Sequence, residues 1–541
     1  MAAFLAIYSK SKHSNFQLLE NVVKDFTING KRKIIKKENP HFLLCVVDTF
    51  KDSLFENENS LSLVSGYISF KKLNTPLDKT IPEKFNEVII NGAENKMELL
   101  EGAFAAIHYN KDKHTLVYTN DKFGMFPLFV FEDKDYIILS NEYQPLAVYN
   151  SQLNYNAITE FLTLGVTLGN KTFYKHIHNL PPSSYVIANE NKSVKHVYWR
   201  PKPIVDNNED KQAILIYETF TEINREYNNA NITELCLLTA GADSRLILAT
   251  LESDQLSKTK FYTSNLSFLD PLEDKDVIGA SALANKFNLD HTIEKISFYE
   301  NQFNESYFDT EREIRKSQVY GGWHGGEFLG GFFLKAAPIH KKLNFEEVDA
   351  TYKSIFSWWF RFKHKMHPYH AYKNEIESLQ GNEHLFMTHQ MTRSFFTNIY
   401  SGTRGHWVQP FQLMNHGFSP FWDSRFLQLL IQVPLSKLEN YNFYNKIFKY
   451  ADTAFTKIPS NSPLTNREDS VIPNMDIGIE PKHQIPNTHH KAYTDCLNDI
   501  KIWKRNFYNK KEFEKTLENE FDKTTKQWLD FEVWYYKYIA P

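Results

Sequence analysis

In the first 200 residues apolar positions come in short runs broken by turn residues, as at Phe42 to Asp48, Ala103 to Tyr109, Thr115 to Thr119 and Tyr136 to Ser140. Runs of this length and composition predict strands, so this half reads as a sheet-rich domain. A helical stretch at about 156 to 164 leads to Asn179-Leu-Pro-Pro and a strand at Ser184 to Ala188. Tyr198-Trp-Arg-Pro-Lys-Pro and the acidic, Asn-rich Asp206 to Asp210 then mark a boundary between domains at 1–205 and 206–541. Beyond it the period changes. A helix near 210–227, a strand Glu234 to Leu238, a helix Arg245 to Glu252, a strand Lys260 to Thr263 and a helix Asp276 to Phe287 alternate. In the last of these Val277, Ala280, Leu283, Ala284 and Phe287 recur at helical spacing, a face packed on a sheet. Such alternation predicts parallel strands with right-handed crossovers. From about 350 the chain reads as mostly helical, ending in a lysine-rich, solvated tail over 500–541.

Composition removes whole classes. With 541 residues, 42% hydrophobic and 23% charged, the chain is globular and long enough for at least two cores. A net charge of -3 provides no global field for DNA or RNA, so nucleic acid is not an expected partner. Cys45, Cys236 and Cys496 lie far apart without a CxxC pair, which argues against a zinc ribbon or a disulfide framework and for a reducing compartment. The run Met1 to Tyr8 lacks preceding basic residues and is shorter than a signal-peptide core. No apolar run reaches the roughly 20 residues of a membrane span, so the expectation is a cytoplasmic protein without a membrane partner.

Leu237-Leu-Thr-Ala-Gly-Ala-Asp-Ser-Arg245 carries the chemistry. A strand running through small residues into a helix presents backbone N–H groups where a phosphate fits. Asp243 offers an oxygen to Mg²⁺, and Ser244 a hydroxyl to a phosphate oxygen or to the helix cap. As a bare motif it is equally a good helix start. A Walker loop with its lysine is absent from the sequence, which favours cleavage between the α and β phosphates over γ-phosphate chemistry. Gly321-Gly-Trp-His-Gly-Gly-Glu-Phe-Leu-Gly-Gly331 packs six of the 20 glycines into one segment, readable also as a surface lid.

Thr239-Ala-Gly-Ala-Asp-Ser-Arg resembles the pyrophosphate-binding loop of the asparagine synthetase family. Glu101-Gly-Ala-Phe-Ala, Asn120-Asp-Lys-Phe-Gly-Met-Phe-Pro-Leu, Phe161-Leu-Thr-Leu-Gly and Leu180-Pro-Pro-Ser-Ser-Tyr resemble its N-terminal half, and Phe418-Ser-Pro-Phe-Trp-Asp-Ser-Arg-Phe-Leu with Val433-Pro434 its synthetase half. Colinearity over about 1–460 gives this more weight than any single motif. The resemblance implies an α/β protein: an N-terminal Ntn-hydrolase-like αββα sandwich, then a PP-loop ATP pyrophosphatase-type parallel sheet with a helical extension. It implies ATP and Mg²⁺ as cofactors, with Leu238, Thr239, Ala240, Gly241, Ala242, Asp243, Ser244, Thr263, Gly322, Gly325 and Gly326 on the nucleotide and Asp243 and Glu327 on the metal. Glu327 stands where the family has the acidic residue of Gly-Gly-Asp-Glu. His324 reads as structural. Asp276 and His291 bracket a helix as in the family's adenine-side segment, although His291 reads equally as a packing residue.

Lys446 and Lys449 are candidates for the lysine that neutralises charge during adenylation and amide formation, and otherwise form a solvated helical face. Glutamine-hydrolysing members carry a cysteine after the initiator methionine; this chain begins Met1-Ala2-Ala3-Phe4, lacks a recognisable Asn-Gly-Glu segment and has Asn120-Asp121-Lys122 for Arg-Asp. The resemblance therefore implies a degenerate glutaminase domain, with ammonia or a substrate amine attacking the acyl-adenylate, as in β-lactam synthetases and lasso-peptide cyclases. The expected substrate is a small-molecule or peptide carboxylate, and a homodimer is a compatible assembly. The competing readings are a non-catalytic nucleotide-binding scaffold and an amidotransferase using Cys45. Trp358 to His367, aromatic and basic, reads as core on one side and water on the other.

Overall fold

The computed structural model describes most of residues 2–158, then 170–200, 208–266, 274–296, 319–322 and 325–329, most of 417–460, and Lys511. Strands β1 (Ala2–Ser9), β2 (Ile35–Asn39), β3 (Phe42–Asp48), β8 (Phe129–Glu132), β9 (Tyr136–Ser140) and β10 (Ile177–Asn179) form one antiparallel sheet in the order β10-β8-β9-β1-β3-β2. A second contains β4 (Leu54–Glu56), β5 (Ser60–Ser69), β6 (Glu101–Asn110), β7 (Thr115–Asn120), β11 (Ser184–Ala188) and β12 (Ser193–Val197), ordered β12-β11-β7-β6-β5-β4.

Alternation along these strands sorts the residues into layers. Phe4, Ala6 and Tyr8 of β1 and Phe42, Leu44 and Val46 of β3 share a core with Leu61, Leu63, Ala105 and Ile107 of the second sheet. The opposite face of the first sheet, with Leu5, Ile7, Leu43 and Cys45, packs under helices α1 (Glu20–Phe26) and α3 (Gln144–Tyr149). Val64, Ile68, Phe104 and Ala106 on the outer face of the second sheet pack against α2 (Ile81–Ile90). The result is a four-layer αββα sandwich, as expected. The predicted strands at Phe42–Asp48, Tyr136–Ser140 and Ser184–Ala188 form with those bounds.

Helix α4 (Glu209–Asn229) opens the second half, its N-cap Asn208 accepting from the Lys211 N–H. Among the described residues five parallel strands follow: β13 (Leu235–Leu237), β14 (Lys260–Leu266), β15 (Asp290–Ile296), β16 (Val319–Tyr320) and β17 (Gly417–Phe418), ordered β15-β14-β13-β16-β17. Helices α5 (Ala242–Thr250) and α6 (Lys275–Phe287) cross between strands. Alternation thus gives the parallel sheet it predicts. Helix α5 begins three residues before the expected Arg245, because Asp243 and Ser244 form its first turn, where an acidic side chain suits the helix dipole.

Phe161 to Gly165, the 201–205 segment, His324, the helical reading after 350, Trp358 to His367, Cys496 and the 500–541 tail lie outside the described residues, Lys511 apart. No helix among the described residues is long and apolar enough to cross a membrane.

Candidate functional site

The site lies at the C-terminal edge of β13, the central strand of the parallel sheet, where such sheets take their ligands. The chain leaves the strand through Leu238 to Gly241, with Gly241 the N-cap of α5 in extended conformation and no side chain capping it. Bulky side chains have no room here: Ala240 and Ala242 are buried in the turn.

The turn is braced by its own residues. Ser244 Oγ accepts the Thr239 N–H at 3.1 Å and lies 3.0 Å from the Thr239 carbonyl, while the Gly241 N–H donates to Thr239 Oγ1 at 3.1 Å. The Ser244 hydroxyl, read as a phosphate donor or cap, is thus engaged within the turn. Asp276, on the first turn of α6, accepts the Ala240 N–H at 3.2 Å. Arg245 is completely buried and donates to three carbonyls: Ala240 at 3.2 Å, Phe455 at 2.8 Å and Ile458 at 2.7 Å. Burial brings its guanidinium down to about 10. Ser460 Oγ adds a bond to the Ala240 carbonyl at 2.9 Å.

Thr263 Oγ1 donates to the Leu238 carbonyl at 2.7 Å and sits 2.7 Å from His291 Nε2. A hydroxyl has one proton, so with both bonds made the imidazole is the donor, protonated at Nε2. Burial lowers the His291 pKa, in the direction that favours the neutral ring. Thr263 and His291 therefore tie β14 and β15 to the turn.

The glycine-rich segment closes on the same place. It leaves β16 at Gly321, whose N–H donates to the Phe418 carbonyl at 2.9 Å, and continues into helix α7 (Gly325–Leu329). A Cβ on Gly322 would lie 2.7 Å from Asp243 Cβ, and one on Gly325 would lie 2.6 Å from both Asp243 Cγ and Phe421 Cζ. Real side chains do not pack so closely, so glycine is required where this backbone meets the Asp243 carboxylate. A Cβ on Gly326 would be 3.5 Å from Asp243 Oδ2. Glu327 belongs to α7, but its side chain lies outside the described residues. From a third direction Tyr444, on helix α9 (Asn442–Ile447) beyond helix α8 (Ser424–Leu430), donates its hydroxyl to Asp243 Oδ1 at 2.5 Å.

The two predicted lysines are placed differently. Lys446 bonds Glu209 Oε2 at 2.5 Å and Asp210 Oδ1 at 3.4 Å, and the Glu209 bond raises its pKa. Lys449 is exposed in the turn after α9. Among the described contacts neither reaches Asp243. Sequence reasoning missed Tyr444, since a tyrosine on an amphipathic helix looks like core until the fold shows where its hydroxyl points.

A second polar cluster joins the two halves. Asp121 accepts N–H bonds from Phe104, Phe123, Met125 and Phe126, and burial still pushes its carboxyl up to about 6. That braced loop projects Lys122, whose Nζ lies 2.7 Å from Glu101 Oε1 and 3.0 Å from Ser424 Oγ, and 5.6 Å from the centre of the Trp199 ring. Ser424 Oγ donates to Glu101 Oε2 at 2.5 Å. Next to it, burial alone would raise the Asp423 carboxyl, but Arg425, paired at 2.8 Å, holds it below the ordinary range, and Arg425 also bonds Glu226 at 2.7 Å.

Cys45 sits beneath the outer helices with its thiol pushed up to about 11 by burial, and Cys236 on β13 is pushed up to about 12. Among the described residues no group of three or more His, Cys, Asp or Glu could hold a metal unaided. Mg²⁺ commonly takes one or two carboxylates and completes its shell with substrate phosphates and water. Asp243, set in a cradle that any Cβ would fill, fits that demand.

Residues 84–199 match the glutamine amidotransferase domain family. No curated protein matches the chain significantly. Two of the solved structures that align with it follow. The allosteric regulatory enzyme of purine biosynthesis is 9% identical, with 54% of this chain and 74% of that one covered at a TM-score of 0.23. The glutamine phosphoribosylpyrophosphate amidotransferase from B. subtilis is also 9% identical, with 59% and 74% covered at 0.24. Likeness at that level carries no argument. The matched domain and the αββα layers make the N-terminal half amidotransferase-like in fold.

Proposed function

We propose that the chain is an ATP- and Mg²⁺-dependent carbon–nitrogen ligase with an amidotransferase-like first domain. In this reading a carboxylate oxygen of the substrate attacks the α-phosphorus of ATP, the bond to the β-phosphate oxygen breaks, and pyrophosphate leaves against the Thr239 to Ser244 turn. An amine nitrogen then attacks the acyl carbon, AMP departs, and the amine's proton passes to solvent. The observation that carries the reading is the docking of Gly322 and Gly325 on Asp243, two segments far apart in sequence brought to one strand edge. Asp243, with Glu327, would hold Mg²⁺, which when bound supplies positive charge to the phosphate oxygens. The turn and the start of α5 favour the anionic leaving group, and Leu238, Thr263 and Gly326 line the same edge.

The amine is ammonia or a group on the substrate itself. A thiol raised as far as those of Cys45 or Cys236 is almost wholly protonated at neutral pH and is a poor nucleophile toward glutamine. The substrate is a small-molecule or peptide carboxylate.

The test is carboxylate-dependent exchange of radiolabelled pyrophosphate into ATP by the full chain, across the standard amino acids and short peptides. Exchange with at least one carboxylate, lost in Asp243→Asn, is the expected result. ATP binding without exchange across the whole panel overturns it in favour of a second reading, a non-catalytic nucleotide-binding scaffold. That reading is favoured by Lys446, a predicted catalytic lysine that pairs with Glu209 and Asp210 instead of the turn.

A further inference from the structure

We infer that Tyr444 is a positioning residue for Asp243: its hydroxyl holds one carboxylate oxygen in place and so fixes the direction in which the other meets a divalent cation. The inference deepens the ligase reading and rests on it for the identity of the cation.

Three observations carry it. First, the bond is short and charge-assisted, 2.5 Å from Tyr444 Oη to Asp243 Oδ1. Second, the donor cannot wander. Tyr444 is completely buried, and its ring packs against Tyr441 at 5.6 Å and Phe448 at 5.9 Å. Its helix is anchored by buried Phe443 and Ile447 and by the Lys446 pair with Glu209 on α4. Third, the Asp243 oxygen nearest to a Cβ on Gly325 would be Oδ1, at 2.8 Å, so Oδ1 is held between that glycine and the tyrosine hydroxyl, while a Cβ on Gly326 would lie 3.5 Å from Oδ2.

The terminal torsion of an aspartate is broad and nearly two-fold, so an unheld carboxylate offers a cation either oxygen over a wide range of angles. Outer hydrogen bonds of this kind orient metal ligands, and their loss typically weakens metal binding by roughly 10- to 100-fold. Lys446 then has a role at the distance where the structure puts it: it fastens the helix that carries the tyrosine.

The experiment uses the full chain, with Mn²⁺ as the probe and α,β-methylene-ATP as a nucleotide that cannot release pyrophosphate. Free Mn²⁺ is followed by electron paramagnetic resonance. Tyr444→Phe is expected to weaken Mn²⁺ binding by roughly 10- to 100-fold and to raise the Mg²⁺ concentration for half-maximal pyrophosphate exchange in proportion, while the rate at saturating Mg²⁺ returns to within a few-fold of wild type. Tyr450→Phe, at an exposed position after the helix, should bind Mn²⁺ as wild type does. Unchanged Mn²⁺ affinity in folded Tyr444→Phe overturns the inference, as does an equal loss in Tyr450→Phe. A measurement free of folding risk places 3-fluorotyrosine at 444 in the otherwise native chain: its fluorine resonance should broaden when Mn²⁺ and nucleotide bind, and a sharp resonance at saturating Mn²⁺ overturns the inference. If Mn²⁺ binds and Tyr444→Phe weakens it while no carboxylate supports exchange, the ligase reading falls and the positioning role stands.

Discussion

Replacing Gly325 by alanine tests the meeting of the two segments directly. In an ordinary helix the change stabilises by up to about 1 kcal/mol, since glycine is the poorer helix former. Here the new methyl would sit 2.6 Å from both Asp243 Cγ and Phe421 Cζ, against ordinary contact beginning at 3.4 Å. The backbone must retreat by about 0.8 Å or the carboxylate must swing away, and overpacking of this kind costs roughly 1–3 kcal/mol. A shift near 1 Å in a positioned group also lowers a rate by about 100-fold. The expected outcome is a reversal of sign: denaturant unfolding shows Gly325→Ala less stable than wild type by about 1–2 kcal/mol, and pyrophosphate exchange falls by about two orders of magnitude. Gly326→Ala, whose Cβ would meet Tyr441 Oη at 3.2 Å, needs only a small adjustment and should lose much less. A Gly325→Ala protein as stable and as active as wild type would refute the docking of this loop on Asp243.

Three further perturbations follow from the same geometry. Arg245→Met removes the guanidinium from three carbonyls, of which Ala240 keeps its Ser460 bond, and should cost about 3–5 kcal/mol in urea unfolding, with nucleotide binding lost alongside; a loss below 1 kcal/mol would show that the other two carbonyls find new donors. Lys122→Met strands the buried Glu101 carboxylate with the more exposed Lys72, and about 3 kcal/mol is expected, against about 1–2 for Ser424→Ala; equal effects would mean that the charge is not what matters. His108, bonded to Ser62 at 2.9 Å, is pulled down to about 4 by burial. Its folded form holds fewer protons than the unfolded form between about pH 6.5 and 4, so stability should fall with pH through that window by up to about 3 kcal/mol, and His108→Gln should flatten the fall.

The strand and helix alternation after residue 230 was legible because each element buries one face, and burial leaves a period in the sequence. The turn was legible because only small residues allow a close approach, and the glycines of 321–326 follow from the same cause. Residues acting across long separations left no such trace. Tyr444 lies 201 positions from Asp243, and Ser424 lies 323 from Glu101. Nothing local distinguishes Tyr444 from Tyr441, or Lys446 from Lys449, before the helix is laid against α4. Residues 81–90 and 20–26 became helices under opposite faces of the sandwich, where tertiary burial rather than any strong local signal decides their place.

The guanidinium of Arg245 imposes an order on the birth of the molecule. Two of the carbonyls it donates to lie 210 and 213 residues downstream, so while the chain is being made the turn after β13 must wait for them. At about 5–20 residues per second a ribosome needs roughly 10–40 s to deliver that stretch, during which a cation destined for the interior stays in water. The αββα half, whose pairings close within the first 200 positions, can finish long before, leaving a nascent protein with one completed body and one still assembling.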